Sequence, residues 1–129
     1  ALLRRAKADV AAAALAHGVI PAHGVTRALD RPETVFDDAR RARDEFGFLR
    51  MWSIHPSQIE PIVRALQPST EEIDEAAQVL AAAQAADWAP LRVAGKLHDR
   101  ASYRYCWSVV SRAHAAGVPL PSTAAAYFH

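Results

Sequence analysis

Short apolar, β-branched runs alternate with amphipathic helical stretches along this chain of 129 residues, and no other feature constrains its fold as strongly. Three runs have the composition of strands: VIPAHGV at 19–25, FLRMWSI at 48–54 and LRVAGKL at 91–97. Longer stretches with apolar residues at helical spacing separate them. Such alternation is typical of βα units, in which consecutive strands lie parallel and helices cover the sheet. The sequence therefore predicts an α/β fold with a parallel sheet.

Capping residues and glycines mark where the helices begin and end. The first helix is expected to stop at Gly18. The second has Asp30 as its expected N-cap and ends at Gly47. Ser69 and Glu72 form the pattern of a capping box at the start of the next long helix. The residues expected in the core include Leu2, Leu3 and Val10 of the first helix, and Tyr103, Cys106, Trp107, Val110 and Ala113 of the last.

Composition excludes several classes of partner. The chain is 51% hydrophobic and 22% charged, with a net charge of +1, so it has no general field to attract nucleic acid or an anionic membrane. No apolar run approaches the roughly 18 residues of a membrane span. The single cysteine, Cys106, excludes an internal disulfide and fits a reducing compartment. We expect a cytoplasmic protein that binds neither nucleic acid nor membrane. Because the chain enters a helix without a cap or a start methionine, we also expect it to be a piece of a longer protein.

Two motifs follow predicted strands: IHPSQ at 54–58, and GKLHD at 95–99 just before the last helix. With the Pro-Ser that opens the helix after position 69, they resemble the C-terminal region of the citrate lyase β-subunit-like family, a branch of the aldolase and citrate lyase superfamily. The similarity runs from about position 19 to position 117. Family members are TIM (β/α)8 barrels of about 300 residues. Such a barrel needs about 250 residues, whereas this chain has 129. The resemblance thus implies that residues 1–117 are the C-terminal part, about three βα units, of one TIM-barrel domain, with 118–129 as a C-terminal tail.

The resemblance also implies an activity. The family breaks or forms a carbon–carbon bond beside a coenzyme A thioester, which implies a lyase that converts a short 3-hydroxyacyl-CoA, of the citramalyl-CoA or malyl-CoA type, to an acyl-CoA and an oxo acid. Mg²⁺ is the implied cofactor, but the family's metal ligands lie upstream, so none is assigned in this chain. The histidines show no metal-ligand spacing. The alternative is a non-catalytic α/β module kept for binding or assembly.

Asp99 is the implied catalytic residue. It matches the family aspartate that reaches the acyl-CoA end of a neighbouring subunit's active site, which implies a homo-oligomer, a trimer or a multiple of one. An aspartate at the start of a helix is also a strong N-cap, so capping alone is the competing interpretation. The chain departs from the family at His98, where an apolar residue is usual, and at Arg100, where proline is common.

Ile54, His55 and Pro56 are the implied coenzyme A-lining residues. They follow a strand, and the active sites of TIM barrels lie at the C-terminal ends of the strands. The competing interpretation is structural, because a residue before proline is held extended and the imidazole could bind a nearby carbonyl. Ser57 is the expected N-cap of the helical segment that follows, which Pro61 is expected to interrupt.

Overall fold

The computed structural model describes residues 1–129, which form two compact units, Ala1–Leu66 and Gln67–His129. The first unit contains helices α1 (Leu2–Ala16), α2 (Pro32–Phe46) and α3 (Ile59–Leu66) and strands β1 (Ala22–His23) and β2 (Arg50–Met51). The second contains helices α4 (Thr70–Ala85), α5 (Arg100–Ala115) and α6 (Ser122–Ala125) and strands β3 (Leu91–Val93) and β4 (Lys96–His98). Short 3₁₀ turns lie at Pro56–Gln58 and Ala126–Phe128.

A β–α–β arrangement is present in the first unit, where β1 pairs with β2 in parallel and α2 lies between them in the chain. This confirms a parallel pair for the first two predicted strands. Helix α2 ends at Gly47, whose φ of 78° is left-handed, as the sequence predicts. The predicted N-cap, Asp30, is wrong by one residue, because Arg31 occupies that position without a side-chain cap bond. Proline at the first helical position lacks an N–H and has a helical φ, so it fixes where the helix starts.

The third predicted strand is wrong. Residues 91–98 form an antiparallel hairpin, β3 with β4, in which Val93 lies opposite Lys96. The two residues between the strands, Ala94 and Gly95, have φ values of 48° and 78°. Positive φ at both loop residues is the geometry of a tight hairpin turn, which reverses the chain inside the apolar run. The chain therefore contains one parallel pair and one hairpin in place of three parallel strands.

The first unit has a small core between α2 and α3, formed by Val35, Ala39, Ile62 and Ala65. Its α1 contributes only Ala14 to the buried set, whereas Leu2 and Leu3 are 83% and 68% exposed. The prediction that they belong to the core is therefore wrong for this unit. Pro61 does not interrupt α3 either, since it lies in the first turn, where no intrahelical N–H bond is lost.

The second unit packs α4 against α5, with α6 of the tail closing one side. The capping box is confirmed, because Glu72 donates its N–H to Ser69 Oγ at 3.2 Å and accepts the Ser69 N–H at 2.9 Å. Trp107 is 43% exposed, contrary to prediction, and Val109 is buried in the α5 face. The core comprises Ile73, Ala76, Ala77, Val79, Leu80, Ala83, Tyr103, Cys106, Val109, Val110, Ala113 and Ala124. None of the helices is both long enough and apolar enough to cross a bilayer.

Candidate functional site

His55 caps the 3₁₀ turn that follows β2. Its backbone is extended, with φ of −152° and ψ of 143°, as expected for a residue before proline. Its Nδ1 accepts the N–H of Ser57 at 3.2 Å and lies 2.8 Å from Ser57 Oγ. A ring nitrogen that accepts a backbone N–H carries no proton, so the hydrogen of the neutral ring is on Nε2. His55 is therefore the N-cap in place of the predicted Ser57, and it keeps an Nε2–H donor at an exposed position.

Gln58, the last residue of the IHPSQ motif, organises this turn from inside the unit, a role that the sequence did not predict. Its side chain is fully buried, and its Oε1 accepts the N–H of Ile54 at 2.9 Å. Its Nε2 donates to the carbonyl oxygens of Thr26 and Ala28, at 2.9 and 3.0 Å. These two carbonyls belong to the segment after β1, and Ile54 belongs to the segment after β2. One carboxamide thus joins the chain segments that leave the ends of the two parallel strands.

The three predicted coenzyme A-lining residues lie together on this turn. Ile54 is 56% exposed, and His55 and Pro56 are also exposed. The turn therefore offers an apolar side chain, a ring N–H donor and a rigid proline next to one another on the surface, which are groups suited to contact a ligand.

Asp99 is the N-cap of α5. Its extended backbone lets one carboxylate oxygen, Oδ1, accept the N–H groups of Ala101 at 3.0 Å and Ser102 at 3.3 Å. No hydrogen bond engages Oδ2, and the residue is exposed. Capping therefore uses half of the carboxylate and leaves the other oxygen available for proton transfer. Asp99 belongs to the second unit, whereas Ile54, His55 and Pro56 belong to the first.

His23, the last residue of β1, is a buried titratable group that the sequence interpretation missed. It is 5% exposed, packs edge-on against Phe48 at 5.2 Å between ring centroids, and its Nδ1 lies 2.9 Å from the Gly24 carbonyl oxygen. Burial lowers the pKa of His23 below its usual 6.5, and the charge of Lys7 lowers it further, while the Gly24 carbonyl and Asp38 oppose these effects.

A metal site does not form among these residues, since no group of three or more His, Cys, Asp or Glu side chains is arranged to hold an ion. Cys106 is buried in the α5 core face, and burial, with the charge of Glu75, raises the pKa of its thiol. A thiol with a raised pKa is a poor nucleophile near neutral pH.

Comparisons with known proteins identify relatives. No family model matches the chain. L-malyl-CoA/β-methylmalyl-CoA lyases of Cereibacter sphaeroides are 33% identical to it over 81 residues, which is 63% of this chain and 25% of theirs. The chain thus spans about a quarter of the length of these curated relatives.

Two solved structures extend the similarity to the fold. A citrate lyase from Burkholderia xenovorans LB400 is 52% identical, with a TM-score of 0.78, over 99% of this chain and 40% of that one. CitE from Mycobacterium tuberculosis, solved in complex with magnesium, acetoacetate and coenzyme A, is 27% identical, with a TM-score of 0.74, over 88% of this chain and 42% of that one. Sequence and fold together support membership of the citrate lyase β-subunit-like family, and the chain spans part of the length of its relatives.

Proposed function

We propose that the protein containing this chain is a coenzyme A-dependent carbon–carbon lyase. The reaction is cleavage of a short 3-hydroxyacyl-CoA, of the citramalyl-CoA or malyl-CoA type, to an acyl-CoA and an oxo acid. The observation that carries the proposal is the 52% identity to a citrate lyase over 99% of the chain. The relatives named as malyl-CoA lyases, and the complex of CitE with magnesium and coenzyme A, support the same substrate class and cofactor.

Asp99 is the proposed acid of this reaction. A base removes the proton of the C3 hydroxyl, the C2–C3 bond breaks, and its electron pair moves onto the thioester as an enolate while the oxo acid forms. The carboxyl group of Asp99 then protonates C2 of the enolate to give the acyl-CoA. The capping geometry supports this role, because Oδ1 fixes the carboxyl group on α5 while Oδ2 remains exposed.

Ile54, His55 and Pro56 are the proposed contacts to coenzyme A. The Nε2–H of His55 can donate to an amide carbonyl or a phosphate oxygen of the ligand, and Ile54 can pack against its apolar arm. The buried Gln58 supports this assignment indirectly, since it holds the turn through the Ile54 N–H and thereby limits the entropy lost when a ligand binds.

The whole protein is proposed to be a cytoplasmic TIM-barrel enzyme in which residues 1–117 supply the C-terminal βα part and residues 118–129 the tail. Asp99 is proposed to serve the active site of a neighbouring subunit, which requires a homo-oligomer, a trimer or a multiple of one. Mg²⁺ is the proposed cofactor, and its ligands are proposed to lie outside this chain, upstream of it, as in the family that the chain resembles.

A second candidate is a non-catalytic α/β binding or assembly module. One observation favours it: the hydrogen bonds that the Asp99 carboxylate makes are those of a helix cap. A module of this kind would bind acyl-CoA without cleaving it.

The deciding experiment uses the complete protein with Mg²⁺. It is incubated with citramalyl-CoA, malyl-CoA and the corresponding thioesters without a 3-hydroxyl group, and products are identified by mass spectrometry. We expect an acyl-CoA and an equimolar oxo acid from at least one hydroxylated thioester and none from its control. Coenzyme A binding by calorimetry without cleavage of any thioester would support the module instead. Sedimentation of the active species tests assembly, because an active monomer would exclude a shared site.

A further inference from the structure

A cleft of about 560 Å³ in the second unit combines aromatic rings with arginines. It lies between the end of α4 and the first half of α5, and its lining includes no residue of the turn that carries His55. Its lining includes Asp87, Trp88, Arg100, Tyr103, Arg104 and Trp107. The volume is within the usual range of small-molecule sites, roughly 300 to 1,000 Å³.

The aromatic wall is held in place by contacts within it and by contacts to residues outside the cleft. Trp88 packs edge-on against Tyr103, with ring centroids 6.0 Å apart, and the Tyr103 hydroxyl donates to the Ala89 carbonyl oxygen at 2.6 Å. Trp88 has a φ of 61°, a left-handed conformation that is rare for a large side chain. Its backbone N–H donates to the Ala83 carbonyl oxygen at 2.7 Å. Trp107 stacks on Phe128 at 5.4 Å. Both indoles are nevertheless 43% exposed, so their free surfaces can contact a ligand.

The cationic groups of the cleft are unengaged. Arg100 and Arg104 lie one helical turn apart on α5, on the same side of the helix. Neither guanidinium takes part in an ion pair or a hydrogen bond, and Asp87 is the only carboxylate in the lining. Two free planar donors next to each other match the oxygens of a phosphate group. Arg100 also stands where the resemblance gives proline, so this pair is a feature of the present sequence.

We propose that this cleft binds an adenine nucleotide, with the base stacked on an indole and a phosphate held by Arg100 and Arg104. A simple anion would need the arginines alone, and an apolar ligand would need the rings alone, whereas a nucleotide uses both. A free adenine nucleotide and the adenosine phosphate portion of coenzyme A share this chemistry. The proposal goes beyond the lyase function and does not depend on it, because binding can be measured without turnover.

The test is calorimetric titration of the complete protein with AMP, adenosine and pyrophosphate in separate experiments. We expect saturable AMP binding, with adenosine and pyrophosphate each weaker by roughly tenfold, because each supplies only one of the two contacts. Arg104→Gln should weaken AMP binding by roughly tenfold, and Trp107→Leu by a similar factor. Arg92→Gln is the matched control, since Arg92 is exposed on β3 outside the cleft, and it should leave AMP affinity unchanged.

Competition distinguishes the two sources of nucleotide. Displacement of AMP by coenzyme A, with loss of both affinities in Arg104→Gln, would assign the cleft to the substrate's nucleotide portion. AMP binding that coenzyme A does not displace would assign it to a free nucleotide. The proposal is overturned by absence of binding at millimolar AMP, by pyrophosphate binding as tightly as AMP, or by equal affinities of Arg104→Gln and Arg92→Gln. Melting curves of each variant confirm that it is folded before it is titrated.

Discussion

Gln58 accepts the backbone N–H of Ile54 at 2.9 Å, so the turn that carries His55 is fixed by a fully buried carboxamide. The same side chain donates to Thr26 and Ala28 in the segment after β1. All hydrogen-bonding capacity of this amide except one lone-pair site is used within the unit. The geometry of the candidate ligand surface thus depends on a residue that does not itself face a ligand.

Replacing Gln58 with alanine should therefore destabilise the protein and loosen the turn. The change leaves one N–H and two carbonyl oxygens without their partner, which costs roughly 2 to 3 kcal/mol. Gln78→Ala, at an exposed position of α4, is the matched control and should change the free energy of unfolding by less than about 0.5 kcal/mol. Urea denaturation measures both. Equal stabilities of the two variants would show that the Gln58 network contributes nothing.

Two substitutions at Asp99 separate capping from catalysis. Asparagine retains an Oδ1 that can accept the Ala101 and Ser102 N–H groups, so Asp99→Asn should keep stability within a few tenths of a kcal/mol. It removes the proton donor, so turnover should fall by roughly 10²- to 10⁴-fold. Asp99→Ala should slow turnover by the same factor and also lower the free energy of unfolding by about 1 kcal/mol, because the cap is lost. Lyase assays and melting of the complete protein with Mg²⁺ measure both effects, with Asp74→Asn, an exposed site on α4, as control. An Asn variant with the parental turnover rate would show that Asp99 serves only as a helix cap.

His55 can be tested by the same logic. The side-chain oxygen of asparagine can accept the Ser57 N–H in place of Nδ1, so His55→Asn should preserve the turn and remove the Nε2–H donor. If that donor contacts coenzyme A, KM for the acyl-CoA should rise by roughly five- to twentyfold with little change in kcat. An unchanged KM in a variant that melts like the parent would mean that His55 serves the turn only. Exposed His17→Asn is the control.

His23 is expected to make the free energy of unfolding depend on pH, and the direction of its pKa shift fixes the sign of that dependence. Because its pKa is lowered in the folded state, the unfolded chain binds a proton first as pH falls through about 6.5. Stability from this site is complete above that pH and is lost as pH falls toward the folded pKa. Free energies of unfolding measured from about pH 7.5 to about pH 5.5 should therefore decline less steeply in His23→Gln than in the parent. Identical slopes, with His17→Gln as the exposed control, would contradict the assignment.

Residues 1–129 expressed alone should not form a stable monomer. The apolar face of α1 is exposed, with Leu2 at 83% and Leu15 at 82%, and the parallel pair has two residues in each strand. Exposed apolar surface and open strand edges favour association over a cooperative monomeric fold. Sedimentation and thermal melting of this segment test the prediction. A cooperative, concentration-independent transition of a monomer would show that it is wrong.

The features that could be predicted are those set by neighbours in sequence. The capping box of Ser69, the extended His55 before proline, the αL end of α2 and the cap at Asp99 each depend on fewer than about five consecutive residues. The third strand was mispredicted because Ala94 gives no turn signal, although Gly95 does. The burial of Gln58 and His23 was not predicted for another reason. Their burial depends on partners far along the chain, as in the bond from Gln58 to Thr26 across 32 positions, which no local pattern records.

The cap that Asp99 provides through a single oxygen has a consequence for the evolution of the family. A relative that stops cleaving carbon–carbon bonds would still lose helix stability if it replaced this aspartate, so selection for folding alone retains it or asparagine. The residue would then outlast the activity. Aspartate at this position is accordingly a poor marker for separating active enzymes from inactive descendants.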